Sequence, residues 1–332
     1  MWKAFERRWS HDAQLLRLIE GSRPQPTLHD KVGFTLRLAA ARTDWILFSH
    51  LGLARAQARL PRLLHRRYGV FLHGVEAWCP LDAATVQLLA AADIRLANSV
   101  YTATRVMQAH PGIGAVVPCP LALPDACAAP TETAPSEAEP TVLMVGRMAS
   151  TERYKGHDEV LDAWPRVVAA VPHARLLIAG GGDDLPRLQQ KARANGVEKS
   201  VRFTGFIDRR ALDECYRRAA VFALPSRGEG FGLVYLEAMA YSLPCVGSVH
   251  DAAREVIVDS ATGRLVDQDH RDQLAEALIE LLMDETLRRR LGTAGNRRLA
   301  SEFSFARFES RLHTALDDVL LGSQQPLAVA AS

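Results

Sequence analysis

The sequence lacks the features that mark membrane-spanning, secreted and zinc-binding proteins. Its 332 residues contain no apolar run of about 18 or more, so no transmembrane helix is predicted. The N-terminal residues lack the apolar core of a signal peptide, which makes a cytoplasmic protein the expectation. The five cysteines form no C-x-x-C pair and their number is odd. Reduced thiols are therefore favoured over a disulfide framework or a zinc site.

The chain also has little net charge. A formal charge of +2 does not predict a nucleic-acid-binding protein. The charge is uneven, however, because residues 1–130 contain 15 Lys and Arg against 9 Asp and Glu. This basic first part indicates an anionic partner on that side. With 48% hydrophobic and 23% charged residues, the composition is typical of one large or two medium domains.

The clearest pattern is a strand, a glycine-rich loop, a helix and a second strand. The apolar run 221–224 ends at Pro225, and three glycines follow within residues 228–232. A helix is predicted for 233–241 and a short strand for 245–246. Glycines let backbone N–H groups approach a ligand, and a helix N-terminus favours phosphate. The pattern therefore predicts a phosphate site, with a plain glycine-rich turn as the alternative.

Two carboxylates flank this predicted site. Glu229 lies in the loop and Glu237 lies about two helical turns later. A carboxylate accepts hydrogen bonds only, so it suits the hydroxyls of a sugar or ribose. A diphosphate with a sugar on each side would meet a carboxylate at each end and backbone amides in the middle, from Gly230, Phe231, Gly232, Leu233 and Val234.

The segment from Glu229 to Glu237 resembles the E-x7-E motif of retaining glycosyltransferases of family 4, also called glycosyl transferases group 1. The resemblance includes Glu-Gly-Phe-Gly, Leu-Glu-Ala-Met-Ala and the proline that follows, and it covers roughly residues 44–320. It implies an α/β protein of the GT-B fold, with two Rossmann-like domains facing across a cleft. The implied reaction moves a hexose such as mannose or glucose from a UDP- or GDP-sugar to a glycan or lipid-linked acceptor, as in bacterial surface polysaccharide assembly. A nucleotide-sugar epimerase and an inactive nucleotide-sugar-binding protein are the alternatives.

The resemblance also assigns residues on the donor side. A predicted strand at 141–145 is followed by Gly146 and Arg147, and Lys155 comes before the next helix. Arg147 and Lys155 resemble the family's paired cations on the donor diphosphate, with Arg as a bidentate fork and Lys as a point charge. No D-x-D motif is present, so neither a metal ion nor another cofactor is expected. In the catalytic assignment Glu229, Arg147 and Lys155 act together, and Glu237 holds the ribose.

Two further turns are predicted to line the nucleotide. A strand at 175–179 leads into three glycines, where Gly181 makes room for the nucleotide or is part of a simple βα turn. The strand and turn that end at Gly205 and Phe206 resemble the family segment beside the base. Residues 255–257 and 262–266 resemble the family's terminal strands.

The first part departs from the family pattern. Residues 1–43 have a helical pattern and no opening strand, so the first domain is predicted to be short and to lack its first βα unit. Residues 53–68 are predicted to form a basic amphipathic helix, with Arg59, Arg62, Arg66 and Arg67 among its cations. It would lie either in solvent or on an anionic membrane face, which would make the protein peripheral on the inner face of the membrane.

Two residues of the first part resemble family site residues. His73 follows the predicted strand at 70–72 and resembles the active-site histidine, although a structural histidine is the alternative. Arg105 resembles an acceptor-side cation or is simply a surface residue. The last strand of this part is predicted at 115–117. The predicted domains are 1–125 for the acceptor side, 126–140 for a linker, 141–302 for donor binding, 303–320 for a helix that crosses back, and 321–332 for a tail.

Overall fold

The structure is a computed structural model that describes residues 1–9, 13–19, 26–123 and 140–320. The chain divides into two compact units, one from Met1 to Pro120 together with the residues from Ala306 on, and one from Leu121 to Phe305. Each unit has its own parallel sheet and its own apolar core. The predicted α/β class with two sheet-based units is confirmed. The predicted linker and tail lie outside the described residues, except for Pro140.

The first unit contains a parallel sheet of four described strands that pair in chain order. The strands are Trp45–Phe48 (β1), Arg67–Leu72 (β2), Ile94–Ala97 (β3) and Val117–Pro118 (β4). The helices before β4 are Trp2–Trp9 (α1), Leu28–Ala40 (α2), Leu51–Ala54 (α3), Val75–Trp78 (α4), Ala83–Ala90 (α5) and Val100–Ala109 (α6). Among the described residues two helices precede the first strand, in agreement with the sequence pattern.

The predicted basic helix at 53–68 is wrong. The segment consists of the end of α3, two single 3-10 turns at Gln57–Arg59 and Arg62–Leu64, and the start of β2. Pro61 separates the two turns, and proline disrupts a helix because it has no N–H to donate. Its arginines nevertheless lie at the surface, and Leu63 between them is 93% exposed.

Three smaller expectations also need correction. Of the described residues before position 44, those in α1 and α2 are helical, while the segment 13–19 is irregular. The last strand of the first unit is Val117–Pro118 rather than 115–117. The predicted strand at 255–257 is wrong, since Ala253–Val256 is a short helix. An apolar run of three residues is too short to distinguish a buried strand from a buried helical turn.

The second unit contains a parallel sheet in the order β10-β9-β8-β5-β6-β7. Its strands are Thr141–Val145 (β5), Arg175–Ala179 (β6), Val201–Gly205 (β7), Val221–Ala223 (β8), Cys245–Ser248 (β9) and Gly263–Val266 (β10). The remaining helices are His157–Ala170 (α7), Leu185–Ala194 (α8), Arg209–Arg218 (α9), Leu233–Ala240 (α10), Ala253–Val256 (α11), Arg271–Met283 (α12), Glu285–Glu302 (α13) and Phe305–Leu320 (α14). From Ala306 on, α14 belongs to the first unit.

The order of this second sheet reverses at β5. β6 and β7 extend it on one side, and β8, β9 and β10 extend it on the other. Loops that leave neighbouring strands in opposite directions open a crevice at the carboxyl ends of the strands, which is where α/β proteins bind ligands. The loops after β5 and β8 are therefore the expected place for a site.

Helix α10 is fixed in the core of the second unit. Tyr235, Leu236, Ala238, Met239 and Ala240 are all buried. Each large apolar side chain that is buried in this way contributes roughly 1.5–3 kcal/mol. Gly292 of α13 lies so close to the turn after α10 that a Cβ atom there would come within 1.8 Å of the Ser242 carbonyl oxygen. This packing fixes the helix that carries Glu237.

Helices α1 and α14 pack against each other in the first unit. The His313 ring donates to the Ala4 carbonyl oxygen at 2.8 Å and meets the Trp9 ring edge-on at 5.2 Å. Arg7 and Arg8 pair with Glu309 and Asp317 of α14.

None of the described helices combines the length and the apolar character that crossing a bilayer requires.

Candidate active site

The glycine-rich loop ends at a left-handed residue that opens α10. Gly232 has a φ of 83°, and a Cβ atom at this position would lie 2.4 Å from the Tyr235 ring. Only glycine combines this backbone conformation with such a close approach. Because no side chain caps α10, the N–H groups of Leu233 and Val234 have no hydrogen-bond partner in the described part of the chain. Unpaired amides at a helix start are suitable donors for an anion.

Glu229 is held by both its side chain and its backbone. Its carboxylate accepts from the Lys155 ammonium group at 3.1 Å, and the two side chains are 21% and 14% exposed. The Glu229 N–H donates to Asp251 at 3.1 Å, and its carbonyl oxygen accepts from the Ala252 N–H at 3.2 Å. The contacts with Asp251 and Ala252 could not be predicted from the sequence, because they form only through tertiary packing. A carboxylate offers about four acceptor positions, so Glu229 keeps the capacity to bind hydroxyls while it is paired.

Glu237 is also fixed before any ligand binds. Its carboxylate accepts from Arg209 at 2.6 Å and from the Tyr216 hydroxyl at 2.9 Å. Tyr216 is fully buried, and this burial raises the pKa of its phenol well above the ordinary value, so the hydroxyl remains a donor. Sequence reasoning missed Arg209 and Tyr216, because neither belongs to a recognisable motif. Each carboxylate oxygen accepts from one of these two donors, and further acceptor positions remain on both oxygens.

The two predicted diphosphate cations lie on one loop, and each has a carboxylate partner. Arg147 is 75% exposed and pairs with Glu152, whereas the largely buried Lys155 pairs with Glu229. The stem of Lys155 passes Gly146 at 3.5 Å from the position that a Cβ atom would occupy. The structure shows no direct contact between the two described cations. The role of Glu152 as the partner of Arg147 could not be read from the sequence, because it belongs to no recognisable motif.

The ends of β5, β6 and β7 meet beside this loop. A Cβ atom on Gly180, whose φ is 144°, would lie 2.0 Å from the Gly146 carbonyl oxygen, so glycine is required there. Gly181 lies against Phe206: a Cβ atom added to Gly181 would be 3.5 Å from the Phe206 backbone nitrogen. The Phe206 side chain is 89% exposed. An exposed aromatic ring at a site edge offers a surface on which a base can stack.

The described acidic groups of the second unit are mostly engaged by neighbouring donors. Asp183 accepts from Ser150, and Asp184 pairs with Arg153 and Arg187. Both carboxylates are thus paired with donors of the protein. His250, Asp267 and Asp269 place ligand atoms within 4.8 Å of one another and could hold a cation. Arg227 already donates to Asp269 at 2.7 Å, however, and a guanidinium group opposes a cation there.

In the first unit, His73 lies at the carboxyl end of β2 as predicted. Its ring Nε2 donates to the Ser49 carbonyl oxygen at 2.8 Å, which leaves Nδ1 as an acceptor. Its backbone N–H donates to Glu76 at 2.6 Å, and its ring stacks on His50 at 5.8 Å. Arg105 is exposed and lies over the rings of Trp78 and Tyr101. This contact fixes the position of the guanidinium group at the surface.

The buried His157 should make the stability of the protein depend on pH. It is the first residue of α7 and follows closely after Lys155. It is 3% exposed, its Nε2 has no hydrogen-bond partner in the described structure, and burial lowers its pKa from 6.5 to about 4. In the unfolded chain His157 therefore binds a proton below pH 6.5, whereas in the native state it binds one only below about pH 4. The contribution of the neutral His157 to the free energy of unfolding is fully present above pH 6.5 and is lost as the pH falls toward 4. Between pH 7 and pH 5 the free energy of unfolding should fall by about 2 kcal/mol.

Urea unfolding at pH 7 and pH 5 tests this prediction. His157→Asn should lose less stability on acidification than the wild type, whereas the exposed His173→Asn should match the wild type. Equal pH dependence of wild type and His157→Asn would contradict the assignment.

Comparison with known proteins gives the family. The family model described as glycosyl transferases group 1 matches residues 129–298. A GDP-mannose-dependent monoacylated alpha-(1-6)-phosphatidylinositol monomannoside mannosyltransferase of Corynebacterium glutamicum is 36% identical over 169 residues, which are 49% of this chain and 44% of that protein. A phosphatidyl-myo-inositol mannosyltransferase of Mycobacterium leprae is 39% identical over 47% of this chain and 40% of that protein. The chain thus matches less than half the length of these two relatives.

A third relative matches over a longer range. The GDP-mannose-dependent alpha-(1-6)-phosphatidylinositol monomannoside mannosyltransferase of Mycolicibacterium smegmatis is 31% identical over 292 residues, 82% of this chain and 75% of that protein. Among solved structures, HepE of Anabaena in complex with UDP and glucose has a TM-score of 0.74 at 18% identity, and covers 86% of this chain and 82% of that one.

Sucrose-phosphate synthase of Thermosynechococcus elongatus has a TM-score of 0.76 at 21% identity, and covers 92% of this chain and 86% of that one. At such identities the likeness concerns the fold, which is the predicted GT-B fold. The family model covers half of the chain, and the Mycolicibacterium relative extends the match to most of it. The protein belongs to the glycosyl transferases group 1 family.

Proposed function

We propose that this protein is a retaining, metal-independent glycosyltransferase that moves mannose from GDP-mannose to a lipid-linked acceptor. The observation that carries the proposal is the contact between Lys155 and Glu229 at the glycine-rich loop. It brings a cation suited to a diphosphate next to a carboxylate suited to sugar hydroxyls. The names of the three mannosyltransferase relatives support mannose, GDP and a phosphatidylinositol-type acceptor.

The diphosphate is the leaving group in this proposal. When the bond between the anomeric carbon and the phosphate oxygen breaks, negative charge builds up on the diphosphate. Arg147, Lys155 and the unpaired amides of Leu233 and Val234 would stabilise this charge. Fixed donors of this kind lower the barrier because they need no reorganisation during the reaction. They supply the electrostatic role that a metal ion performs in other transferases.

The remaining donor contacts follow from the arrangement of the second unit. Glu229 would hold hydroxyls of the mannose, and Glu237, oriented by Arg209 and Tyr216, would hold the ribose. The base would lie against Gly205 and Phe206, with Gly181 leaving room for the nucleotide. In the first unit we assign substrate contacts to His73, through its free Nδ1 acceptor, and to Arg105, through its exposed guanidinium group.

The proposed reaction is tested by incubating the protein with GDP-[14C]mannose and either phosphatidylinositol or a soluble mannoside. We expect label in the lipid extract, an α-linked product, and an unchanged rate in the presence of EDTA. Glu229→Gln serves as the impaired control. Label that stays in the nucleotide fraction, or that appears there as another hexose, would contradict sugar transfer. Loss of the rate in EDTA would contradict metal independence alone.

The ribose role of Glu237 is tested by its interaction with the nucleotide. Glu237→Ala should weaken GDP binding by roughly 1–3 kcal/mol, because it leaves hydrogen-bonding groups unmet. Glu237→Gln should bind GDP and its 2′,3′-dideoxy analogue with more similar affinities than the wild type does. Isothermal titration calorimetry measures both quantities. Glu214→Gln, which alters an exposed carboxylate paired on α9, is the control. If Glu237→Gln still prefers GDP over the dideoxy analogue as strongly as the wild type does, Glu237 does not hold the ribose.

We also propose that the exposed arginines of the first unit bind an anionic membrane surface. Arg55, Arg59 and Arg62 are exposed and have no carboxylate partner among the described residues, whereas Arg67 pairs with Asp93. Arg66 donates to the backbone of its neighbour. Each arginine near an anionic surface contributes about 1 kcal/mol, and salt screens this attraction. The exposed Leu63 adds apolar contact at the same place.

Vesicle flotation tests this surface. The variant Arg59→Gln/Arg62→Gln/Arg66→Gln should bind vesicles that contain phosphatidylinositol at least about tenfold more weakly, given the charge contribution above. The control variant Arg193→Gln/Arg202→Gln/Arg210→Gln removes three exposed arginines from the second unit and should bind like the wild type. If both variants lose vesicle binding to the same extent, the loss reflects only the change in net charge, and the assigned surface is wrong.

A further inference from the structure

Asp251 is a buried carboxylate at the centre of the loops that form the donor side. It lies in the turn between β9 and α11 and has no exposed surface. One carboxylate oxygen accepts from the Ser226 hydroxyl at 2.5 Å and from the Glu229 N–H at 3.1 Å. The other oxygen accepts from the Ala253 N–H at 2.9 Å. A single side chain therefore ties together the turn after β9 and two points of the glycine-rich loop.

The same turn holds the second peptide group of Glu229. The N–H of Ala252 donates to the Glu229 carbonyl oxygen at 3.2 Å. Both sides of the Glu229 backbone are thus bonded to consecutive residues, while its side chain pairs with Lys155. With backbone and side chain both restrained, the direction of the Glu229 carboxylate is set before a ligand binds. Such preorganisation matters most for a group that recognises a substrate through geometry.

Only a carboxylate satisfies the three donors that surround Asp251. An asparagine would offer one acceptor oxygen and one N–H₂ group, so a donor would face a donor on one side. The charged side chain is costly here, because burial raises the pKa of Asp251 to about 6 and the nearby Glu229 carboxylate opposes its charge. A costly buried acid that holds a site loop is more consistent with a positional requirement of that site than with stability alone.

We infer that Asp251 is a positioning residue that fixes Glu229 and thereby determines how strongly the site recognises the sugar portion of its donor. The effect on the nucleotide portion is small, since Glu237 is held by Arg209 and Tyr216, and α10 is held by its buried apolar side chains. This inference deepens the proposed function and rests on the assignment of Glu229 to the sugar. The restraint of the loop itself does not depend on that assignment and can be measured separately.

Hydrogen exchange of the protein without ligand is the first test. In Asp251→Asn, the amides of residues 226–232 should exchange about tenfold faster, as expected for the loss of a hydrogen bond. Amides of β7 should be unchanged. Asp259→Asn is the matched control, since Asp259 also accepts a backbone N–H, from Leu265, but does so outside the loop. Unchanged exchange in 226–232, or acceleration throughout the second unit, would overturn the positioning role.

Calorimetry with GDP-mannose and GDP is the second test. Asp251→Asn should bind GDP-mannose about tenfold more weakly and GDP nearly as well as the wild type. The loss should not add to that of Glu229→Gln in the double variant, because one residue acts through the other. Equal losses for both ligands, or additive losses, would contradict the inference. Ser226→Ala, which removes one hydroxyl partner, gives a smaller shift in the same direction and replaces Asp251→Asn if that variant does not fold.

The two tests separate the inference from the proposed function. If the wild type binds GDP-mannose no more tightly than GDP, the assignment of Glu229 to the sugar fails. The hydrogen-exchange result still decides whether Asp251 restrains the loop. If exchange is unchanged in Asp251→Asn, the positioning role fails whatever the donor is.

Discussion

The contact between Lys155 and Glu229 is the interaction on which the site depends. Without it, the second unit would carry a half-buried ammonium group and a half-buried carboxylate at adjacent loops with no partner for either charge. Arg147 and Glu152 form a second pair on the same loop. Both cations assigned to the diphosphate are therefore neutralised by carboxylates of the protein. In the proposed function both cations would also contact the bound diphosphate, while Glu229, held in its direction, would offer its remaining acceptor positions to hydroxyls.

The parallel sheet of the second unit explains why these residues meet although they are distant in sequence. β5 lies at the point where the strand order reverses, with β8 beside it, so the loops that follow both strands lie at one edge. Close glycine contacts bring the loops after β5 and β6 together, and Asp251 joins the loop after β9 to the glycine-rich loop. Helix α10 is held by a buried apolar surface. The site is thus built from short loops on a rigid sheet, which suits recognition by fixed amides and charges.

Local pattern was sufficient for the features that depend on chain chemistry. The glycine-rich loop, α7, α10 and the strands around Gly146 and Gly181 could be predicted because apolar runs, glycines and prolines fix them locally. The partners of the functional carboxylates could not be predicted, since Arg209, Tyr216 and Asp251 reach them only through tertiary packing. The basic stretch 53–68 failed for a related reason: its charge pattern has helical spacing, but Pro61 and pairing of β2 in the sheet prevent a continuous helix.

The central claim of the proposed function is that Lys155, held beside Glu229, binds the diphosphate of the donor. Calorimetric titration of GDP and of guanosine into the wild type and Lys155→Met tests it most directly. The variant should bind GDP at least about tenfold more weakly, as expected for loss of a charged hydrogen bond, while guanosine binding hardly changes. Equal GDP affinity in the two proteins would contradict the account.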